Sequence, residues 1–412
     1  MTKLILRNAA IVDATSADRR GPHDVLIDDG LIKEIGKDVA SSDATTIDLG
    51  GRTLMPGLTD AHVHIVANSL SLSAIDELPP SIVALSAGQC LKGMLMRGFT
   101  TVRDAGGADW GYASAVESGL VQGPRLLTSG RALSQTGGHG DLRSRHPDSG
   151  MSCVCAGRAP IFARIADGVP AVRQAARDEL RLGAAQIKIM ASGGVASPSD
   201  PVWMLQYAND EIEAIVAEAR AWRTYVMAHA FTPEAISRAV GLGVRSIEHG
   251  NLLDSASARD MARANAFLVP TLSTAEALIK HGKALGFSEA SLAKLNETPW
   301  LDKGVGSLGI AKAAGVKTGF GSDLLGPLQK FQSREILIRA EALSPFEVIA
   351  QATTVNAELF NMAGRIGVVA PGAHADLLVV DGDPLADIAI LADPETRMVG
   401  IMKGGTFVKR TF

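Results

Sequence analysis

Long apolar runs, basic clusters and paired cysteines are what this chain lacks. No stretch approaches the ~18 consecutive apolar residues that a membrane-spanning helix needs, so no membrane partner is expected. Lysines and arginines form no run, and together (40) they fall below aspartate plus glutamate (44), leaving a net charge of −4. That is no footprint for nucleic acid. The three cysteines, Cys90, Cys153 and Cys155, are odd in number and lack framework spacing. They exclude a disulfide scaffold and fit a reducing compartment. The opening MTKLILRNAAIVD alternates like a strand and has neither the apolar core nor the cleavage site of a signal peptide. A cytoplasmic location is expected. No Gly-x-Gly-x-x-Gly turn follows an early strand, which argues against an open dinucleotide-binding sheet.

What is present suits a globular enzyme. Its 412 residues, 46% hydrophobic and 20% charged, are enough for a barrel of about 250–300 residues and an accessory domain. Both ends read as β-structure. Residues 3–12, 24–27 and 31–35 alternate around an Asp28-Asp29-Gly30 turn, and 375–381 precedes a hairpin turning at Gly404-Gly405. The expectation is a small composite β-sandwich of residues 1–55 plus 360–412. Between them, residues 56–359 repeat a strand-then-helix unit, with strands at 58–65, 99–104, 125–130, 185–191, 224–230, 244–249, 266–271 and 316–322. Thr232-Pro233-Glu234 and Ser344-Pro345-Phe346-Glu347 mark helix starts. Eight such units predict an α/β fold of the (β/α)8 TIM-barrel type.

Active sites of such barrels lie at the C-terminal strand ends. Read in order, those ends carry His62 and His64, Lys188, His229, His249 and Asp323. In LMPGLTDAHVHI (residues 54–65) a strand would turn His62 and His64 to one side and Val63 to the other. Burying four imidazoles, an ammonium and a carboxylate together is costly without a ligand to satisfy them, so a metal cluster is expected. Lys188 lies on an apolar strand where a bare ammonium is expensive; the alternative is a side chain that snorkels or finds a carboxylate.

LMPGLTDAHVHI resembles the metal-binding opening of the amidohydrolase superfamily. SGRALSQTGGHGD (129–141) and MASGGVASPSDP (190–201) are similar to its imidazolonepropionase-like members, within them the Xaa-Pro dipeptidase (prolidase)-like and ochratoxin-hydrolysing subgroup. The resemblance implies that Lys188, on the fourth strand, is carboxylated to a carbamate bridging two divalent cations. At a pKa of ~10.4 only about one lysine in two thousand is neutral at pH 7, so burial must lower it first. Two dications balance carbamate, Asp323 and hydroxide to near neutrality, and an imidazole-rich set suits zinc, with manganese, cobalt and iron as alternatives. A metal-bridging hydroxide, formed as the water pKa falls from ~15.7 toward ~7, would attack the amide carbonyl. Asp323 would carry the proton to the leaving amine; the alternative is a ligand with no proton role.

The resemblance also implies an amide substrate, a dipeptide or N-acyl amino acid, whose leaving group carries a free carboxylate. His139, ringed by glycines, is the expected substrate contact and second catalytic residue, with Gly193, Gly194 and Val195 as further contacts. One position departs from the pattern. Where the subgroup usually has tyrosine to bind the carboxylate, this chain has Phe231. Recognition would then pass to Arg143, Arg145 or Arg158 in a long loop at 134–168, or the substrate would be a cyclic amide, urea or carbamate. A Cys153–Cys155 pair without a second pair is expected to be unreactive. The remaining rival is a non-catalytic metal-containing barrel that binds a partner. By resemblance, the chain is expected to form a homo-oligomer.

Overall fold

The computed structural model describes residues 3–143, 161–197 and 200–412. The two ends of the chain meet in one eight-stranded sheet. Five strands come from the front (Leu4–Ile11, Arg20–Asp28, Leu31–Gly36, Thr45–Asp48, Thr53–Pro56) and three from the rear (Leu377–Val380, Met398–Lys403, Thr406–Arg410). Thr53–Pro56 joins the two sets, with Ile11 paired to Leu54 and Leu54 to Val379. Both expected hairpins are present. Asp29 and Gly30 (φ 53° and 72°) and Gly404 and Gly405 (φ 55° and 79°) are left-handed pairs, the backbone that a two-residue turn of matching twist requires. Leu6, Ile11, Val25, Ile27, Leu377 and Met402 pack beneath this sheet.

The middle of the chain is α/β. Strands β1 (Leu58–Val63), β2 (Phe99–Asp104) and β3 (Arg125–Leu127) form one parallel sheet. A second parallel sheet holds β4 (Ile187–Met190), β5 (Val226–Ala230), β6 (Ser246–His249), β7 (Phe267–Val269) and β8 (Lys317–Thr318). Strands β2, β5 and β6 are buried along their whole length, the pattern of a parallel sheet covered on both faces. Hydrogen bonds link the two sheets at both flanks: Ala185 N–H to Thr128 O and Ala61 N–H to Phe320 O, each 2.7 Å.

All eight expected strands exist, but most are shorter. β1 stops at Val63, because the Ile65 amide donates to the Asp104 carboxylate (2.8 Å) rather than to a ladder carbonyl. His64 therefore follows the strand instead of sitting in it. β8 shrinks to two residues, since the Phe320 amide turns to the Asn356 side chain and the Asp323 amide to His62 O. Two three-residue strands, Ala132–Ser134 and Ala163–Ile165, extend the second sheet where a loop was expected. Three residues are too few to show a period. Both helix starts hold: Thr232 accepts from the Ala235 amide, and Ser344 and Glu347 cap each other reciprocally. Among the described residues no helix is long and apolar enough to cross a membrane.

Candidate active site

Five strands or strand ends place His62, His64, Lys188, His229, His249 and Asp323 around one cavity of about 300 Å³. The imidazoles crowd each other, with ring centres 5.3 Å apart for His62–His64, 4.9 Å for His62–His249 and 4.6 Å for His229–His249. Asp323 sits among them. Its Oδ1 lies 3.4 Å from His62 Nε2 and 3.3 Å from His64 Nε2, and its Oδ2 lies 3.8 Å from His249 Nδ1. His62, His249 and Asp323 offer ligand atoms all within 4.8 Å of one another, a group that can hold a metal ion.

Each imidazole commits one nitrogen elsewhere. His62 Nδ1 meets Glu248 Oε2 at 2.8 Å, His64 Nδ1 meets Gly106 O at 3.0 Å, His249 Nδ1 meets Thr271 Oγ1 at 2.8 Å and His229 Nε2 meets Gly193 O at 3.3 Å. A carbonyl or carboxylate only accepts, so at His62, His64 and His229 the committed nitrogen carries the hydrogen. The other nitrogen keeps its lone pair for a cation, the usual arrangement around metal-bound histidine. The donor set therefore fits a metal.

The supports behind these ligands were not anticipated from the sequence. Glu248 is fully buried and bonded to the equally buried Arg103 at 2.9 Å, and Arg103 Nε donates to Ala61 O at 2.7 Å. Asp60 accepts the amides of His62 (3.0 Å) and Ser322 (3.1 Å) and the Gln332 side-chain amide (2.8 Å), tying β1 to the Asp323 segment. The available signal was an acid directly before His249 and another two residues before His62. His249 and Asp323 themselves adopt left-handed backbone, φ 74° and 53°. For residues other than glycine this costs on the order of 1–3 kcal/mol each.

Burial dominates the electrostatics. It pushes His62 and His229 well below the ordinary imidazole range and His249 down to about 4. Burial also lowers Lys188 to about 8, and among the described residues Lys188 has no hydrogen-bond or ion-pair partner. For Asp323 burial acts upward, but the charges and hydrogen bonding of His62, His64 and His249 outweigh it and hold the carboxyl below its usual range. At His64 burial acts downward, but Asp323, with Asp104 and the Gly106 carbonyl, outweighs it and raises the imidazole.

His139 also lines the cavity, stacked on His229 with ring centres 4.2 Å apart and planes 18° apart. Gly194 packs against its face, and a Cβ there would overlap the ring. The Gly193 and Gly194 amides are already used, donating to Met204 O and to Asp200 Oδ2 (2.9 Å each). Expected as donors to a substrate, they serve the loop instead, while Val195 lines the cavity. Phe231 stacks on His249 (5.0 Å, 15°) and meets the Trp300 ring edge-on at 5.1 Å. Leu278, Phe287 and Leu295 complete an apolar wall. Arg143 is exposed and grips Asp141 through two bonds of 2.7 and 2.6 Å, away from the cavity lining. Arg145, Arg158, Cys153 and Cys155 lie outside the described residues. Burial pushes the Cys90 thiol up to about 12, an unreactive form.

The sequence profile described as the Amidohydrolase family matches residues 53–408. The chain belongs to that family. Ochratoxinase from Aspergillus niger is 32% identical over 371 residues, spanning 86% of this chain and 75% of its own length. A prolidase solved with N-methylphosphonate-L-proline is 51% identical, with a TM-score of 0.96 over 100% of both chains. The structure of A. niger ochratoxinase matches with a TM-score of 0.87 at 27% identity, over 100% of this chain and 96% of the other. This amidohydrolase is accordingly a hydrolase acting on carbon–nitrogen bonds, which removes the non-catalytic rival.

Proposed function

We propose that this amidohydrolase cleaves the amide bond of Xaa-Pro dipeptides or N-acyl amino acids, ochratoxin-like amides included. The observation that carries the substrate class is the 51% identity, over the full length, to a prolidase solved with a proline-based phosphonate. In this reading the two parallel sheets close into one (β/α)8 barrel at residues 56–359. The hydrogen bonds at both flanks support closure. The buried face of the terminal sheet supports a β-sandwich at 1–55 plus 360–412.

His62, His64, His229, His249, Asp323 and a carboxylated Lys188 would hold two divalent cations, zinc by the chemistry of the donors. Bound there, the cations supply a water of lowered pKa and polarise the substrate carbonyl. Lys188 suits carboxylation because its neutral amine is accessible near pH 8. The Nζ lone pair bonds the carbon of CO₂, one proton leaves, and the carbamate anion replaces an unpaired buried ammonium. Asp323, held ionised, takes the proton from the attacking water and gives it to the leaving nitrogen as the C–N bond breaks. His139 and Val195 contact the substrate, and Phe231 lies against its apolar part.

A second reading, hydrolysis of a cyclic amide, urea or carbamate, is favoured by one feature. Among the described residues Lys188 is the only lysine or arginine lining the cavity, and Phe231 has no hydroxyl to meet a carboxylate. One panel separates the two on metal-quantified protein: N-acyl-prolines, N-acyl-phenylalanines, their carboxamides and aryl ureas. The first reading expects free-carboxylate substrates to win by a large factor. Equal or better turnover of carboxamides or ureas would overturn it in favour of the second.

A further inference from the structure

His139 is fixed on three sides. Its faces lie against the His229 ring and the Gly194 backbone, and its Nδ1 is 3.0 Å from Asp200 Oδ2. Asp200 is fully buried, and the same oxygen accepts the Gly194 amide at 2.9 Å and the Gln206 side-chain amide at 3.3 Å. Gln206 closes the circuit, since its Oε1 accepts the His139 amide at 2.9 Å. The Asp200 backbone is pinned too. Lys294, on the helix Glu289–Asn296, donates to the carbonyls of Gly194 (3.0 Å), Ser197 (2.7 Å) and Asp200 (2.6 Å). None of Asp200, Gln206 and Lys294 contacts the residues assigned to the metals above through these bonds.

We propose that Asp200 is a positioning residue for catalysis: it commits the Nδ1–H of His139, so that Nε2 alone faces the substrate. Burial acts to raise the Asp200 carboxyl, yet the bond and charge of His139, with Ser197 and the Lys294 ammonium, together outweigh it and hold the group below its usual range, ionised. An ionised carboxylate only accepts, so the hydrogen between the two groups belongs to Nδ1. Nε2 then carries no bond to the described residues, and His139 is part of the cavity lining. A ring free to exchange tautomers would offer the wrong nitrogen state for part of the time. The arrangement resembles, in its logic, the carboxylate that holds a catalytic imidazole in one tautomer. The inference rests on the reading of this cavity as the hydrolytic site, although its first test needs no substrate.

That test is the long-range ¹⁵N–¹H correlation spectrum of histidine-labelled, zinc-loaded full-length protein, with the His139 signals assigned by their loss in H139Q. The expected result is a proton on Nδ1 in the wild-type protein and a mixture in D200N. A wild-type ring protonated at Nε2 and bare at Nδ1 overturns the proposal, whatever the fate of D200N. The second test is a double-mutant cycle. D200N should lower kcat/KM by about ten- to a hundred-fold at unchanged zinc content, D200E should recover part of it, and in the H139Q background D200N should add less than about twofold. Equal losses in both backgrounds would make Asp200 a support of the loop alone. Failure of every amide substrate would overturn the proposed function and leave the tautomer result standing.

Discussion

The two walls of the cavity are built by different means. On one, His62, Lys188, His229 and His249 stand on parallel strands, and the groups that orient the imidazoles, Glu248, Gly193 and Thr271, lie on strands or in the segments that follow them. On the other, His139 and Gly194 lie on loops, and Phe287 from a loop with Leu295 and Trp300 from helices complete the cavity lining. That wall is joined by side-chain bonds such as Lys294 to Gly194, 100 residues apart in sequence. Strand register places the first wall, and a few charged hydrogen bonds place the second. The first should therefore be hard to move and ruinous to unpair, whereas the second should tune substrate binding.

The largest effect is expected at Asp323. Asp323→Asn should retain metal by elemental analysis while kcat falls by about three orders of magnitude, the contribution of a positioned proton carrier. Retained metal with retained turnover would remove its proton role. Next comes Glu248→Gln, which leaves Arg103 charged and buried without its partner. Urea unfolding should show a loss of about 3 kcal/mol or more. A loss below about 1 kcal/mol would erase the contrast between the walls, since exposed pairs behave that way. Lys294→Met should raise KM by about tenfold with kcat within about twofold, because substrate-positioning loops act mainly through geometry. A fall in kcat at constant KM would place the loop in the chemistry rather than in binding. The smallest change is Phe231→Tyr. One added hydrogen bond of about 1 kcal/mol should improve free-carboxylate amides by about fivefold over their carboxamides. An unchanged ratio would show that position 231 does not read the carboxylate.

Legibility divides along the same line. His62, Lys188, His229 and His249 were readable because strand periodicity and a polar residue at an apolar strand's end are local signals. Asp323 was readable for the same reason, although β8 ends well before it. Glu248 and Arg103 sit on strands already recognised, but nothing local distinguishes a buried acid paired across 145 residues from a solvated one. Asp200 and Lys294 are a harder case. Their partners are a loop histidine and three carbonyls, and their roles exist only once remote segments meet. His139 was found through its glycines, yet the reason differed from the one expected: Gly194 makes room for the ring, and its amide holds Asp200. The terminal sheet was legible as hairpins, and its turns carry the left-handed residues that hairpins need.

The strand Thr53–Pro56 gives that sheet a history as well as a shape. One of its edges pairs with Leu4–Ile11 and the other with Leu377–Val380. At synthesis rates of about 5–20 residues per second, position 379 follows position 54 out of the ribosome by roughly 15–65 s. Through that interval the strand leading straight into His62 has an open edge. The catalytic half of the molecule is thus made while still tethered to an unfinished sheet, and strands translated long after it close an edge exposed from the start.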